Sequence, residues 1–83
     1  MNVDIIDKMI DMFDHFSCRY RKFPYWYVIR ELNQYREHCY RSILWLQNHM
    51  ENVPNDRINK IRSVLSECDA IQTDITLIFF NGE

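Results

Sequence analysis

His15 and Cys18 stand three residues apart, so on a helix both side chains reach one face and could offer a metal two ligands. Cys39 or His38 could supply a third. A structural zinc site draws four ligands from close pairs such as Cys-x₂₋₄-Cys or His-x₃₋₅-His. The chain holds neither pair, so it reads as buried thiols and surface histidines, with no metal and no cofactor expected. His38 and Cys39 make no catalytic dyad either, because neighbouring helical residues point about 100° apart. There is no Gly-rich phosphate loop, no G-x-S-x-G and no His-Glu-x-x-His. The one glycine, Gly82, leaves no tight backbone turn for such a site. A non-enzymatic protein is expected.

Binding chemistry is better represented. Residues 19–46 hold both tryptophans, all five tyrosines and six of the ten basic residues. Trp, Tyr and Arg are enriched at protein-binding hot spots, and aromatic faces beside cations also stack on unpaired bases. Arg19, Arg21 and Lys22 cluster next to Phe23, Tyr25, Trp26 and Tyr27, with Arg30, Arg41 and Trp45 farther along.

Charge limits the nucleic-acid reading. The net charge is −2 over 83 residues. Residues 1–15 set one Lys against four Asp, residues 16–41 six basic against two acidic, and residues 42–83 three basic against six acidic. A dedicated nucleic-acid binder carries a strongly basic surface. Here a basic band lies between two acidic arms, which are expected to neutralise it on folding.

Two prolines, Pro24 and Pro54, punctuate the chain, and each ends a segment with helical periodicity. The first segment runs from an N-cap at Asn2 to about Tyr20, with Ile6, Met9, Ile10, Phe13, Phe16 and Tyr20 on one face. The second starts at or just after Pro24 and reaches about Asn52. Its core stripe is Tyr25, Val28, Leu32, Tyr35, Cys39, Ile43, Leu46 and Met50, widened by Ile29. At ~1.5 Å per residue it would span roughly 40 Å. The third opens on an Asn55 or Asp56 cap, with Ile58, Ile61, Leu65, Cys68, Ile75 and Phe79 as one row and Val64, Ile71 and Ile78 beside it.

Residues 71–80 are rich in β-branched and aromatic types and carry a second reading as a strand. An apolar strand without a partner is an aggregation hazard, so helix is expected, ended by Asn81-Gly82; as a strand it would have to pair with another chain. The fold expected is all-α, one domain over residues 1–83: a three-helix antiparallel bundle built on a long hairpin of the second and third helices. That hairpin sets Arg36 opposite the stretch from Asp69 to Asp74 and predicts an ion pair there. Nearly 47% of residues are hydrophobic, yet so short a chain leaves a marginal core. Self-association is therefore expected as an option, as a homodimer through the second helix or the apolar tail.

Three cysteines without a spacing motif, and a start lacking a basic and apolar leader, predict a cytoplasmic protein. No run approaches the ~18 apolar residues of a membrane span. Projected about Leu32, Trp26 and Leu44 fall about 120° to one side of the core stripe, and Tyr27 and Trp45 about 140° to the other. Two neighbouring helices cannot easily cover both sides. The function expected is a regulator or inhibitor that occludes another protein, like the small inhibitors, antitoxins or immunity proteins of phages and mobile elements. Trp26, Tyr27 and Trp45 would anchor, Arg30 and Arg41 would steer towards acid, and Arg19, Arg21 and Lys22 at the corner complete the expected partner-binding set. An RNA- or DNA-binding helical dimer and a structural oligomer subunit are the alternatives.

Overall fold

Asn2 starts the first helix as its side-chain oxygen accepts a hydrogen bond from the Ile5 amide at 3.0 Å. The computed structural model describes residues 2–81, in three helices: α1 (Val3–Ser17), α2 (Tyr25–His49) and α3 (Asn55–Asn81). A single 3₁₀ turn, Tyr20–Lys22, lies between α1 and α2. No strand occurs among the described residues, and 71–80 is helical. Removing the cap by Asn2→Ala is expected to cost about 1 kcal/mol. A thermal melt would read that as a fall of roughly 4–8 °C; an unchanged midpoint would mean the cap is idle.

Contacts between the helices fix the topology as up-down-up. Arg57 of α3 meets Asp7 of α1 at 3.2 Å, while Tyr20 and Arg21, just past α1, meet Asp74. So α1 and α3 run parallel. Arg36 meets Asp69 at 3.0 Å and Gln72 at 2.6 Å, and Tyr25 stacks on Phe79, so α2 and α3 run antiparallel. The ion pair expected from the hairpin register is present.

Packing follows the apolar stripes. Ile6, Phe13, Val28, Leu32, Cys39, Leu46, Ile61 and Cys68 are buried together. Phe13 sits at the centre, edge-on to Tyr35 at 5.2 Å and tilted against Phe16 at 6.5 Å. Ser42, outside the expected stripe, is also buried; its hydroxyl donates to the His38 carbonyl at 2.7 Å, which removes the penalty of an unpaired donor. Tyr25, Ile43 and Met50 only flank the core, and Phe79 is exposed.

Helix ends depart from the expected limits. α1 stops at Ser17, three residues short of Tyr20: the Cys18 amide bonds back to the Phe16 carbonyl and Arg19 takes φ −138°, outside the helical region. The turn this makes carries Tyr20 and Arg21 across to Asp74. α2 stops at His49, short of Asn52, because Met50 turns extended and lies against the core with Val53. At α3 the Pro54 carbonyl accepts from the Arg57 and Ile58 amides, so Asn55 is the first helical residue and not the cap. The expected stop at Asn81-Gly82 lies outside the described residues at Gly82.

With 15 residues, α1 is much shorter than α2 with 25 and α3 with 27. The hairpin therefore outruns its third helix. At the end formed by the first turn of α2 and the last turns of α3, Leu77, Ile78, Phe79 and Phe80 are exposed.

Candidate functional site

A row of rings leads from the core to the surface at the α1–α2 corner. Phe16 is buried and stacks on Phe23, with planes 4° apart and centroids 6.3 Å apart. Phe23 leans on Tyr27 at 4.8 Å, and Tyr27 meets Trp26 edge-on at 5.9 Å. Pro24 makes this arrangement possible. Its extended ψ of 153° turns the chain, and its carbonyl accepts the Tyr27 and Val28 amides that begin α2.

Trp26 ends the row and stands 62% exposed. Arg30, one turn on, lays its guanidinium 5.3 Å from the Trp26 ring centroid and 5.0 Å from that of Tyr27. Both distances suit cation–π attraction. Glu31 lies 3.8 Å from the same guanidinium. The cation is thus held over two rings that are themselves stacked back to buried Phe16. Such a cluster loses little side-chain freedom when a partner closes on it.

The other expected site residues divide. Arg41 is on the exposed face of α2, paired with Glu37 at 3.4 Å. Arg19 and Lys22 are exposed at the corner. Arg21 is engaged with Asp74 through two hydrogen bonds of 3.0 Å. The Tyr20 hydroxyl donates to the same carboxylate; that bond, with Arg21 beside it, holds the Asp74 carboxyl below its ordinary range, and the bond together with burial pushes the Tyr20 phenol up against the opposing pull of Arg21.

Trp45 does not join the cluster. It is nineteen residues from Trp26, roughly 28 Å along the helix. Its ring is partly buried against the core and stacks on His49 at 4.8 Å. Tyr27 is likewise half-covered. The side of α2 bearing Tyr27 and Trp45 therefore packs, whereas the side bearing Trp26 and Leu44 stays open.

Tyr40 and Leu44 are exposed on that open side and were not among the expected anchors. Leu44 shares Trp26's bearing because eighteen residues make five helical turns. Tyr40 sits nearer the core stripe, where projection alone leaves it undecided.

Charge is largely consumed within the fold. Of the six cations between residues 16 and 41, four (Arg21, Arg30, Arg36 and Arg41) face a carboxylate within 4 Å. The acidic arms supply two of these partners, Asp74 and Asp69, whereas Glu31 and Glu37 belong to the band itself, so the arms neutralise it only in part. Among the described residues no three histidine, cysteine or acidic side chains converge as a metal site, and no helix is long and apolar enough to cross a membrane.

No known protein family, curated protein or solved structure matches the chain. Its chemistry is therefore read from its own side chains. They offer one well-ordered aromatic-cation cluster and a sparse apolar strip of Tyr40 and Leu44 continuing along the same helix.

Proposed function

We propose that the chain is a non-enzymatic protein-binding regulator or inhibitor, which works by covering part of another protein. Its anchor is Trp26 with Arg30 and Tyr27, and the open face of α2 carries the contact on towards Tyr40, Arg41 and Leu44. One observation supports this above the rest: an exposed tryptophan is braced through Tyr27 and Phe23 to the core, with Arg30 fixed over both rings. Trp and Arg at one ordered spot are the residue types that dominate binding energies. The partner suited to it has an apolar pocket beside an acidic group, which would complete the neutralisation of Arg30.

Neutralised arginines weigh against the RNA or DNA reading, since each cation held by a carboxylate is one fewer for phosphate. The experiment is affinity capture from the native cell with wild type, Trp26→Ala, Arg30→Ala and Trp45→Ala. Trp26→Ala and Arg30→Ala should each lower partner recovery at least ~10-fold, with circular dichroism unchanged. Trp45→Ala should keep the partner and lose some stability. If the first two recover the partner at wild-type levels, the site is elsewhere. If capture vanishes on nuclease treatment or collapses as salt rises, the nucleic-acid reading replaces this one.

A further inference from the structure

Where α1 faces the first half of α2, a hollow of about 300 Å³ opens among Phe16, Phe23, Tyr27, Glu31 and Tyr35. These five side chains follow one another around it. Tyr35 meets Phe16 at 5.6 Å, Phe16 meets Phe23 at 6.3 Å and Phe23 meets Tyr27 at 4.8 Å, all between ring centroids. Tyr27, Glu31 and Tyr35 recur at four-residue steps on α2, so Glu31 stands between the two tyrosines. The space lies at the lower end of the ~300–1,000 Å³ of ligand sites, which suits a headgroup or the end of a side chain.

We propose that this hollow binds a quaternary ammonium group, its methyls against the four rings and its charge towards Glu31. Three observations select that chemistry. The first is the lining: ring faces attract cations, and several rings around one space hold a methylated ammonium ion. Arg30, which is not part of the lining, already takes a place 5.0 Å from the Tyr27 centroid. The second is the carboxylate. Glu31 has a side chain only 19% exposed, and its one cation, Arg30 at 3.8 Å, is too far for a hydrogen bond. It therefore keeps negative charge to offer. The third is the Tyr35 hydroxyl. Tyr35 is 7% exposed, and its hydroxyl bonds to no group among the described residues. No fully enclosed side-chain atom lacks a partner there, so this one opens on the groove that Tyr35 lines. Burial above all, with Glu31 adding, pushes its phenol up to about 12, so it stays a neutral dipole beside the bound charge. Arg19 and His15 also line the hollow, but both are exposed, where water and salt screen them.

Choline is the probe. Titrated into the intact chain, it should move the ring signals of Tyr27 and Tyr35 in proton magnetic resonance, and its own methyl signal should shift upfield. A dissociation constant on the order of 1–10 mM is expected, as a few cation–π contacts in a partly wet site allow. The uncharged isostere, with a tert-butyl group in place of trimethylammonium, should bind at least ~10-fold more weakly. That comparison depends on no variant folding. Glu31→Gln should weaken choline at least ~5-fold, whereas Arg19→Gln should not weaken it. Trp26→Ala should leave choline binding unchanged while lowering partner recovery, which separates this hollow from the partner contact. A trimethyllysine peptide that binds tighter than choline supports the proposal with a protein as the source. Phosphocholine binding tighter supports it with a lipid headgroup as the source. Equal binding of choline and its isostere would overturn the proposal and leave an apolar hollow only. So would an absence of shifts up to ~50 mM choline, or butyrate moving the same signals at a lower concentration than choline does.

Discussion

Phe13→Ala is expected to lower the unfolding free energy by about 3–5 kcal/mol, the usual cost of deleting a buried aromatic ring. Phe13 is 2% exposed and touches rings from both directions, Phe16 on its own helix and Tyr35 on α2. It is also where short α1 grips the hairpin, so little else can fill the hole. A chain of this length has roughly 4–12 kcal/mol in all, and the variant should sit close to its unfolding threshold. Urea titration followed by circular dichroism checks this. Phe79→Ala, at an exposed ring, should change the unfolding free energy by less than ~0.5 kcal/mol. Equal effects for the two would mean that the core is not centred on Phe13.

The second large effect concerns the thiols. Cys39 and Cys68 are fully buried in the α2–α3 seam, whereas Cys18 is exposed. Burial pushes the Cys39 thiol up to about 12, with Cys68 adding a little, and pushes the Cys68 thiol up to about 11 against the opposing charge of Arg36. An ordinary thiol in water is roughly a quarter ionised at pH 8, so both buried groups hold at least ~100-fold less reactive thiolate. A maleimide or disulfide reagent at pH 8 should label Cys18 rapidly and the other two only as the chain unfolds. The same shifts make stability depend on alkali. Below about pH 8.5 native and unfolded states both keep these protons, and stability is complete. Above it the unfolded chain releases them while the native chain does not, so stability falls until the pH passes the native values near 11 and 12. The ideal slope for two thiols, halved for solvent screening, gives a loss of roughly 2–3 kcal/mol between pH 8.5 and 10.5. A Cys39→Ala, Cys68→Ala double variant should lose that slope; if it keeps it, other groups set the alkaline limit.

Much of the fold is legible in residue spacing. Steps of three and four at Ile6, Met9, Phe13 and Phe16, and at Leu32, Tyr35, Cys39 and Leu46, mark the faces that are buried. The same register places Arg36 against Asp69. The stretch 71–80 resists local reading because its β-branched residues favour a strand, yet Ile71 and Ile75, one turn apart, are buried in the bundle. Packing overrides propensity there. Helix ends are less visible, since Arg19 and Met50 leave the helical region to satisfy contacts made far along the chain. The candidate site was half legible. Helical bearing alone identifies Trp26 and Leu44 as outward, but it cannot tell that α1 lies along the side of Tyr27 and Trp45. Nor can it tell that α1 stops short of Phe79 and Phe80, which depends on where Arg19 leaves the helical region.

The up-down-up order gives the uneven charge of the chain a further meaning. Each helix carries roughly half a positive charge at its first turn and half a negative charge at its last. At one end of the bundle two first turns, those of α1 and α3, meet one last turn; at the other end the count is reversed. The macrodipoles leave that second end with an unmatched negative pole. Arg19, Arg21 and Lys22 sit just past the last turn of α1, at that end. Asp4, Asp7 and Asp56 gather at the opposite, positive end. Charges of these signs are favourable close to the helix termini they face. The corner that first suggests a grip on phosphate or acid is also the counterweight to the one pole the up-down-up order leaves unmatched.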